Sequence, residues 1–224
     1  MSQEYIRNIR VTEKVGPLLN PVLFDNFEDR LKWVKSGTGS DYICEIDETN
    51  LSSGFYALRM KTKETTPAID DYVQTEIWLP TRNHKRVLYK ATIICPVNER
   101  KVWAEIRLNV KKDYYNHIAA MRFHWLDDKI AYQKSDGSWE ILENQFVMGD
   151  VSQRMEIEMV INLDRKEYEY IRVNHKQIAL PTVGYQYGIG AQYSSKLIAY
   201  LKIINTEATR GELFWDDVLI EFSD

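Results

Sequence analysis

The stretch VWAEIRLNV at residues 102–110 shows the pattern that decides the fold. Every second side chain in it is apolar, from Val102 to Val110, and Trp103, Glu105 and Arg107 lie between them. Successive side chains of a β-strand point to opposite faces, so this period of two predicts a strand with one buried face. The same alternation recurs in three further places, at 72–79, 155–163 and 168–173.

Further runs rich in β-branched and aromatic residues extend this pattern along the chain. They lie at 42–47, 55–62, 87–95, 117–126, 129–134, 196–205 and 212–222. Turn-forming clusters such as Ser135-Asp136-Gly137-Ser138 separate them. No segment longer than about 10 residues has the 3.6-residue period of an amphipathic helix. The chain is therefore predicted to be all-β, with two antiparallel sheets packed as a sandwich.

The first 21 residues differ from the rest of the chain. Gly16-Pro17 and Asn20-Pro21 interrupt any regular element there, and we expect residues 1–21 to form an extended N-terminal arm. Such an arm would pack on the domain or on a neighbouring molecule, which predicts self-association or protein partners in an assembly. Residues 22–224 contain neither a linker nor an internal repeat and are predicted to form one domain.

The charge balance argues against nucleic acid as a partner. The 224 residues include 29 basic and 33 acidic side chains, a net charge of -4, whereas nucleic-acid binders carry basic patches. Apolar runs stay below the roughly 18 residues that cross a bilayer, and the first 24 residues lack a secretory signal. We therefore expect no membrane contact and synthesis in the cytoplasm, with association with a virion or export without a classical signal left open.

Several residue types are expected to serve the core rather than a site. Cys44 and Cys95 lie in separate apolar runs, where buried free thiols are expected. The four histidines have no metal-ligand spacing. Trp33, Trp125 and Trp215 accompany apolar neighbours and are assigned to the core. The glycines from Gly184 to Gly190 lack a phosphate-binding lysine and are assigned to a loop.

Both ends of the domain resemble jelly-roll carbohydrate-binding modules. The residues that carry the resemblance are Leu23-Phe24-Asp25-Asn26-Phe27-Glu28-Asp29, Leu51-Ser52-Ser53-Gly54-Phe55 and Phe214-Trp215-Asp216-Asp217-Val218. The resemblance implies a jelly roll whose first and last strands pair. Residues 139–180 are similar to strands of laminin-G and concanavalin-like sandwiches.

The same resemblance implies a structural calcium between the chain ends. The matching positions are Glu28, the Ser53-Gly54 backbone and Asp216. Calcium takes six to eight hard oxygen ligands, which carboxylates and carbonyls supply. Arg30-Leu31 departs from the glycine turn of the relatives. The alternative is that these acids only solvate strand ends; no other cofactor is expected.

Catalytic motifs of jelly-roll enzymes are incomplete in this chain. The segment 45–50 begins like the hydrolase motif, but Thr49 and Asn50 stand where the second glutamate is needed. At Gln74-Thr75-Glu76, glutamine stands where alginate-lyase-like enzymes need arginine. Glu76 and Glu105 could face each other across strands, or could be two solvated acids. We therefore expect a protein that is not an enzyme.

The polar strand faces combine aromatic rings with hydrogen-bonding groups, a mixture that suits a glycan. The residues predicted to bind a ligand are Tyr72, Gln74, Glu76, Trp78, Trp103, Glu105, Arg107, Tyr168 and Tyr170. Tyr185, Tyr187 and Tyr193 form a second candidate. The alternatives for such aromatic faces are burial in the core and contact with proteins.

Three functions fit these observations. The favoured one is a non-catalytic structural or adhesion subunit of a larger assembly, such as a phage capsid-decoration or tail protein. The second is a carbohydrate-binding module, and the third, disfavoured by the incomplete motifs, is a hydrolase or lyase that acts on glycans.

Overall fold

A computed structural model describes residues 20–28, 32–48, 54, 56–81, 84–96, 101–142, 154–180 and 182–224. Its strands are β1 (Asn20–Asp25), β2 (Val34–Gly37), β3 (Ile43–Asp47), β4 (Ala57–Lys61), β5 (Tyr72–Pro80), β6 (Arg86–Ile94), β7 (Val102–His124), β8 (Lys129–Gln133), β9 (Trp139–Leu142), β10 (Arg154–Asn162), β11 (Glu167–Val173), β12 (Lys176–Ala179), β13 (Gln186–Asn205) and β14 (Glu212–Ser223). Within these residues no helix is long and apolar enough to cross a membrane.

The strands form two antiparallel sheets, which confirms the predicted sandwich. The eight-stranded sheet has the order β12-β11-β10-β6-β14-β4-β3, and β1 pairs with β14. The six-stranded sheet has the order β2-β5-β13-β7-β8-β9. Asn20 pairs with Phe222 and Asp25 with Val218, so the first and last strands pair as predicted.

The predicted N-terminal arm lies almost wholly outside the described residues. Only Asn20 and Pro21 of its 21 residues are described, and both belong to β1. The last two residues of the predicted arm thus belong to the first strand, and the division between arm and domain stays a prediction. A proline is tolerated here because the register between β1 and β14 shifts directly after Pro21.

The long run of β7 reverses direction within itself. Arg122 Nε donates to Glu105 Oε2 at 2.5 Å, although 17 extended residues would separate the two by about 56 Å. The reversal lies at Asp113 and Tyr114, which are exposed, and Asp113 has a φ of 56°. Aspartate tolerates this left-handed conformation better than most residues. The halves of β7 thus match the two strands predicted at 102–110 and 117–126.

The core lies between the inner faces of the two sheets. Val73, Ile106 and Leu201 line the six-stranded sheet, and Ile93 and Ile157 line the other; all five are fully buried. Burying a side chain of this size contributes about 1.5–3 kcal/mol. The assigned core tryptophans, Trp33, Trp125 and Trp215, are buried as predicted, as are the free thiols of Cys44 and Cys95.

Tyr168 lies in this core, so its prediction as a ligand-binding residue on a polar face was wrong. Val160 pairs with Tyr170 and Ile161 with Tyr168, which leaves Glu169 as an extra residue in β11. Such a bulge shifts the alternation of faces by one position. The Tyr168 hydroxyl accepts from the Ala120 N–H at 3.1 Å and donates to the Gln133 carbonyl at 2.7 Å.

The loop predicted from Gly184 to Gly190 is also corrected. β13 begins at Gln186, and Gly188 pairs with Asn116 of β7. A Cβ added at Gly190 would lie 2.9 Å from the Asn116 side chain. A glycine in this strand thus permits a close approach to the neighbouring side chain rather than a turn.

Candidate functional site

The outer face of the six-stranded sheet, formed by β5, β13 and β7, is the candidate site. The inward residues of these strands are mostly apolar, with Thr75 as an exception, and the outward residues form cross-strand rows. From β5 over β13 to β7 the rows are Tyr72–Ile204–Trp103, Gln74–Lys202–Glu105, Glu76–Tyr200–Arg107 and Trp78–Ile198–Asn109. The structure therefore brings seven of the nine predicted ligand-binding residues onto one surface, hereafter the outer face.

The centre of the outer face is a charged cluster built on Glu105. This carboxylate is 1% exposed and lies 2.8 Å from Arg107 Nη2 and 2.5 Å from Arg122 Nε. Arg122 in turn lies over the Trp139 ring of β9, 3.7 Å from its centroid. The two arginines offset the charge of the buried carboxylate, which would otherwise be costly to desolvate. Glu105 is therefore a support for the arginines, and the solvent-exposed position predicted for it is corrected to a buried one.

Aromatic rings occupy both ends of the outer face. Trp78 is 56% exposed; its Nε1 donates to Glu76 Oε1 at 2.8 Å, and Lys196 Nζ lies 3.7 Å from its ring centroid. At the other end Lys202 Nζ lies 4.4 Å from the Tyr72 ring centroid. These contacts orient the rings and leave much of the Trp78 ring in solvent.

Trp103 stands at the same end as Tyr72, two strands away in the same row. Its ring centroid lies 5.1 Å from that of His124. His124 Nε2 is 3.1 Å from Thr206 Oγ1, and burial lowers the pKa of the imidazole, an effect that nearby Asp127 opposes. The imidazole thus packs against Trp103 and holds its ring in place.

Two titratable groups of β13 lie between the aromatic ends. Burial lowers the pKa of the Lys202 ammonium; Glu105 opposes this shift, whereas Arg107 and Arg122 add to it. Burial raises the pKa of the Tyr200 hydroxyl, and the neighbouring Glu76 carboxylate raises it further. Sequence reasoning missed both residues, because isoleucines also stand on this face of β13 and weaken the alternation.

Glu76 and Glu105 do not form the carboxylate pair considered from the sequence. β13 lies between their strands, and the residue of β7 in the row of Glu76 is Arg107. Two strand spacings correspond to about 10 Å, whereas a retaining glycosidase needs two carboxyl groups about 5 Å apart. Glu105 is also occupied by its two arginines.

Tyr170 belongs to a different surface from the other predicted residues. It lies on β11 of the eight-stranded sheet, where its hydroxyl donates to Glu158 Oε1 at 2.6 Å. Arg172 Nη2 lies 3.1 Å from Glu156 Oε1 and also contacts Glu158. Tyr170 is thus part of an ion-pair network on the other sheet and does not join the outer face.

The second candidate, Tyr185, Tyr187 and Tyr193, is only partly described. Tyr185 is buried, and its hydroxyl lies 2.9 Å from His117 Nδ1. Tyr187 stacks on Tyr115 with centroids 5.2 Å apart. The side chain of Tyr193 lies outside the described part. Since Tyr185 faces the core, these tyrosines do not form one exposed surface.

At the position predicted to bind calcium, acidic side chains instead make hydrogen bonds to nearby backbone N–H groups. Glu28 Oε1 accepts from the Tyr56 N–H at 3.2 Å, and a Cβ on Gly54 would collide with the Glu28 carboxylate. Asp216 is fully buried and accepts from the Asp217 N–H at 2.8 Å. In the described part of the chain no three His, Cys, Asp or Glu side chains form a group that could hold a metal. A fit to calcium is thus not seen there, and calcium stays a prediction.

Comparisons with known proteins match the fold but not the sequence. No protein-family model matches the chain, and a search of curated proteins finds no match. Among solved structures, endo-β-1,4-glucuronan lyase from the fungus Trichoderma reesei has a TM-score of 0.58 at 8% identity, covering 92% of this chain and 96% of that one. A conserved carbohydrate esterase from Shiga toxin-encoding bacteriophage phi24B has a TM-score of 0.59 at 12% identity, covering 92% and 100%.

The lectin UEA-II, solved with galactose, has a TM-score of 0.53 at 9% identity and covers 91% of this chain and 99% of that one. Identities this low carry no information on a shared activity. The comparisons establish that the chain has the jelly-roll, concanavalin-like β-sandwich fold that its sequence resembles.

Proposed function

We propose that this chain is a non-catalytic carbohydrate-binding β-sandwich and that the outer face holds the glycan. The observation that carries the proposal is the exposed ring of Trp78, which Glu76 and Lys196 orient on a face that continues into polar groups. Sugar rings stack on such aromatic surfaces, while nearby polar side chains take their hydroxyl groups.

The dimensions of the outer face support binding of an oligosaccharide rather than a single sugar. Trp78 and Tyr72 are six residues apart on β5, which corresponds to about 20 Å. Gln74 and Tyr200 stand between them, in the central rows. A chain of sugars would contact rings at both ends and hydrogen-bonding groups in the middle.

The proteins of similar fold add support. One is a glucuronan lyase, one is a carbohydrate esterase and one is a lectin with galactose bound. Proteins that act on or bind carbohydrate therefore share this fold. Non-catalytic binding is favoured here because Glu76 and Glu105 lie two strands apart. This spacing is about 10 Å, whereas a retaining glycosidase needs two carboxyl groups about 5 Å apart.

The test is glycan binding by the full chain and by Trp78→Ala. The wild-type protein should bind some of the glycans on an array. Trp78→Ala should weaken this binding about tenfold, the loss expected for one aromatic contact. Tyr114→Ala is the matched control, since Tyr114 is 57% exposed but stands at the reversal of β7. An array without hits, or equal loss in both variants, would contradict the proposal.

For the cellular role we propose an adhesion or structural subunit of a larger assembly, such as a phage capsid-decoration or tail protein. Support comes from exposed apolar side chains at the reversal of β7, namely Tyr114, Tyr115 and the adjacent Ile189. Exposed apolar patches of this kind mark protein contacts. Mass photometry should find oligomers that dissociate on Ile189→Ser, whereas monomers alone would argue against self-association.

A further inference from the structure

We infer that the sugar recognised at the outer face carries an anionic group, a carboxylate or a sulfate, which binds between Arg107 and Lys202; this inference rests on the proposed function. Both residues stand in the central rows, between the aromatic ends. The anion would therefore be held while neighbouring sugar units stack on Trp78 or Tyr72.

The charge of the outer face is opposite to that of the whole chain. The four cross-strand rows, together with the side chains that the contacts described above join to them, include four cations and two carboxylates, an excess of +2. The cations are Arg107, Arg122, Lys196 and Lys202, and the carboxylates are Glu76 and Glu105. The chain as a whole carries a net charge of -4. A local positive excess in an acidic protein attracts anionic ligands to that place.

Arg107 has donors left for a ligand after its contact with Glu105. The ion pair uses Nη2, and the Nε is buried, so the donors that a ligand can reach lie on the exposed part of the guanidinium. A guanidinium carries five N–H donors in a planar fork that matches a carboxylate or sulfate. With 29% of its side chain exposed, Arg107 is open to solvent on the side away from the core.

Lys202 is the second anchor. Its ammonium is partly buried beside two arginines. Burial lowers the pKa of this ammonium, and both arginines lower it further. The positive field at this ammonium is therefore only partly balanced by Glu105 and by Asp70, in the exposed turn before β5. An anion bound here would complete the balance, and it would raise the pKa of Lys202.

The experiment compares acidic and neutral sugars on the same protein. Oligogalacturonate supplies carboxylates, its methyl ester removes their charge, and a sulfated galactan supplies sulfates alone. These probes are placed within a wider array of acidic and neutral glycans and measured at low and high salt. We expect the tightest hits to be acidic, at least about tenfold tighter than their uncharged forms, and to weaken as salt rises. Tighter binding of oligogalacturonate would identify the anionic group as a carboxylate, and tighter binding of the sulfated galactan would identify it as a sulfate.

Two variants test the residues. Lys202→Gln should weaken acidic hits about tenfold more than it weakens neutral sugars, whose stacking on Tyr72 it affects only through the orientation of that ring. It is used beside Arg107→Gln because loss of an arginine partner would leave Glu105 buried with one ion pair and would affect folding. Lys176→Gln on β12 of the other sheet is the matched control.

The outcomes separate the two proposals. Neutral sugars that bind as tightly as acidic ones, with Lys202→Gln unchanged, would overturn the anionic ligand and leave the proposed function standing. An array without any hit would overturn both. Equal affinity for single-stranded DNA and for the acidic glycans would also overturn the inference, because it would indicate attraction to any polyanion.

Discussion

Glu105 illustrates how one buried charge organises a surface. It stands within the alternating stretch that predicts β7, but its carboxylate lies beneath the side chains of Arg107 and Arg122 rather than in solvent. Removing one member of a buried ion pair is costly because the others stay desolvated without a partner. Glu105 therefore holds the two arginines in position for whatever the outer face binds.

The first prediction follows from this contact. Glu105→Gln should lower the free energy of unfolding by about 3 kcal/mol, the low end for a buried pair, because both arginines are partly exposed. Urea denaturation measures the change. Glu140→Gln is the matched control, since Glu140 pairs with Lys134 at the surface and should cost below about 1 kcal/mol. Equal effects of the two substitutions would show that Glu105 is not a buried support.

His117 gives a second prediction at this scale, a dependence of stability on pH. Burial lowers the pKa of its imidazole to about 4, and Lys112 and Lys166 contribute to the shift. The unfolded chain binds this proton near pH 6.5, so stability is present above that pH and falls as the pH drops from 6.5 to 4. The loss should reach up to about 3 kcal/mol at pH 4.

His117→Gln should remove this part of the pH dependence in urea denaturation measured between pH 7 and 4. His175→Gln, in the exposed turn between β11 and β12, is the control and should keep it. If the His117 and His175 variants show the same slope below pH 6.5, another group is responsible.

At the scale of elements, β7 and β11 show where local conformation changes the outcome of a strand pattern. The reversal in β7 brings Arg122 and His124 back onto the outer face beside Glu105 and Trp103. The extra residue in β11 turns Tyr168 into the core while Tyr170 stays outside. Neither change alters the number of strands that the alternation predicts, but each decides which side chains share a face.

The third prediction concerns the reversal. Asp113 has a φ of 56°, which costs a β-branched residue about 1–2 kcal/mol more than it costs glycine. Asp113→Val should therefore lower the melting temperature, whereas Asp113→Gly should leave it close to that of the wild type. A valine variant as stable as the glycine variant would place the reversal elsewhere in β7.

At the scale of the whole molecule, the pairing of β1 with β14 ties the two ends of the domain together. Glu28 follows β1 and Asp216 lies within β14, so the calcium implied by the sequence resemblance would strengthen this closure. In the described residues Glu28 instead accepts the Tyr56 N–H, and this contact accounts for its place beside Gly54.

The fourth prediction is the outcome of metal analysis on purified protein. The resemblance predicts bound calcium, a melting temperature that falls on addition of a chelator, and a Glu28→Gln variant that no longer responds. Protein free of calcium, with the same melting temperature in chelator and in excess calcium, would contradict the prediction and leave Glu28 as a brace of the backbone.

The sandwich and much of one surface could be predicted from the alternation of residues along the strands. The alternation at 102–110 and 72–79 reports which side chains of a strand share a face, so Trp78, Trp103 and Arg107 were placed correctly on outward faces. The pairing of the chain ends followed from the motifs around Phe24 and Trp215.

Which strand faces meet depends on how the strands pair in the folded protein. Alternation within one strand carries no information on its neighbours, so nothing in the sequence placed β13, with Tyr200 and Lys202, between β5 and β7. For the same reason Tyr170 could not be assigned to the opposite sheet. Whether an outward side chain is buried depends on the length of its neighbours, and Glu105 is covered because two arginines from opposite halves of β7 converge on it.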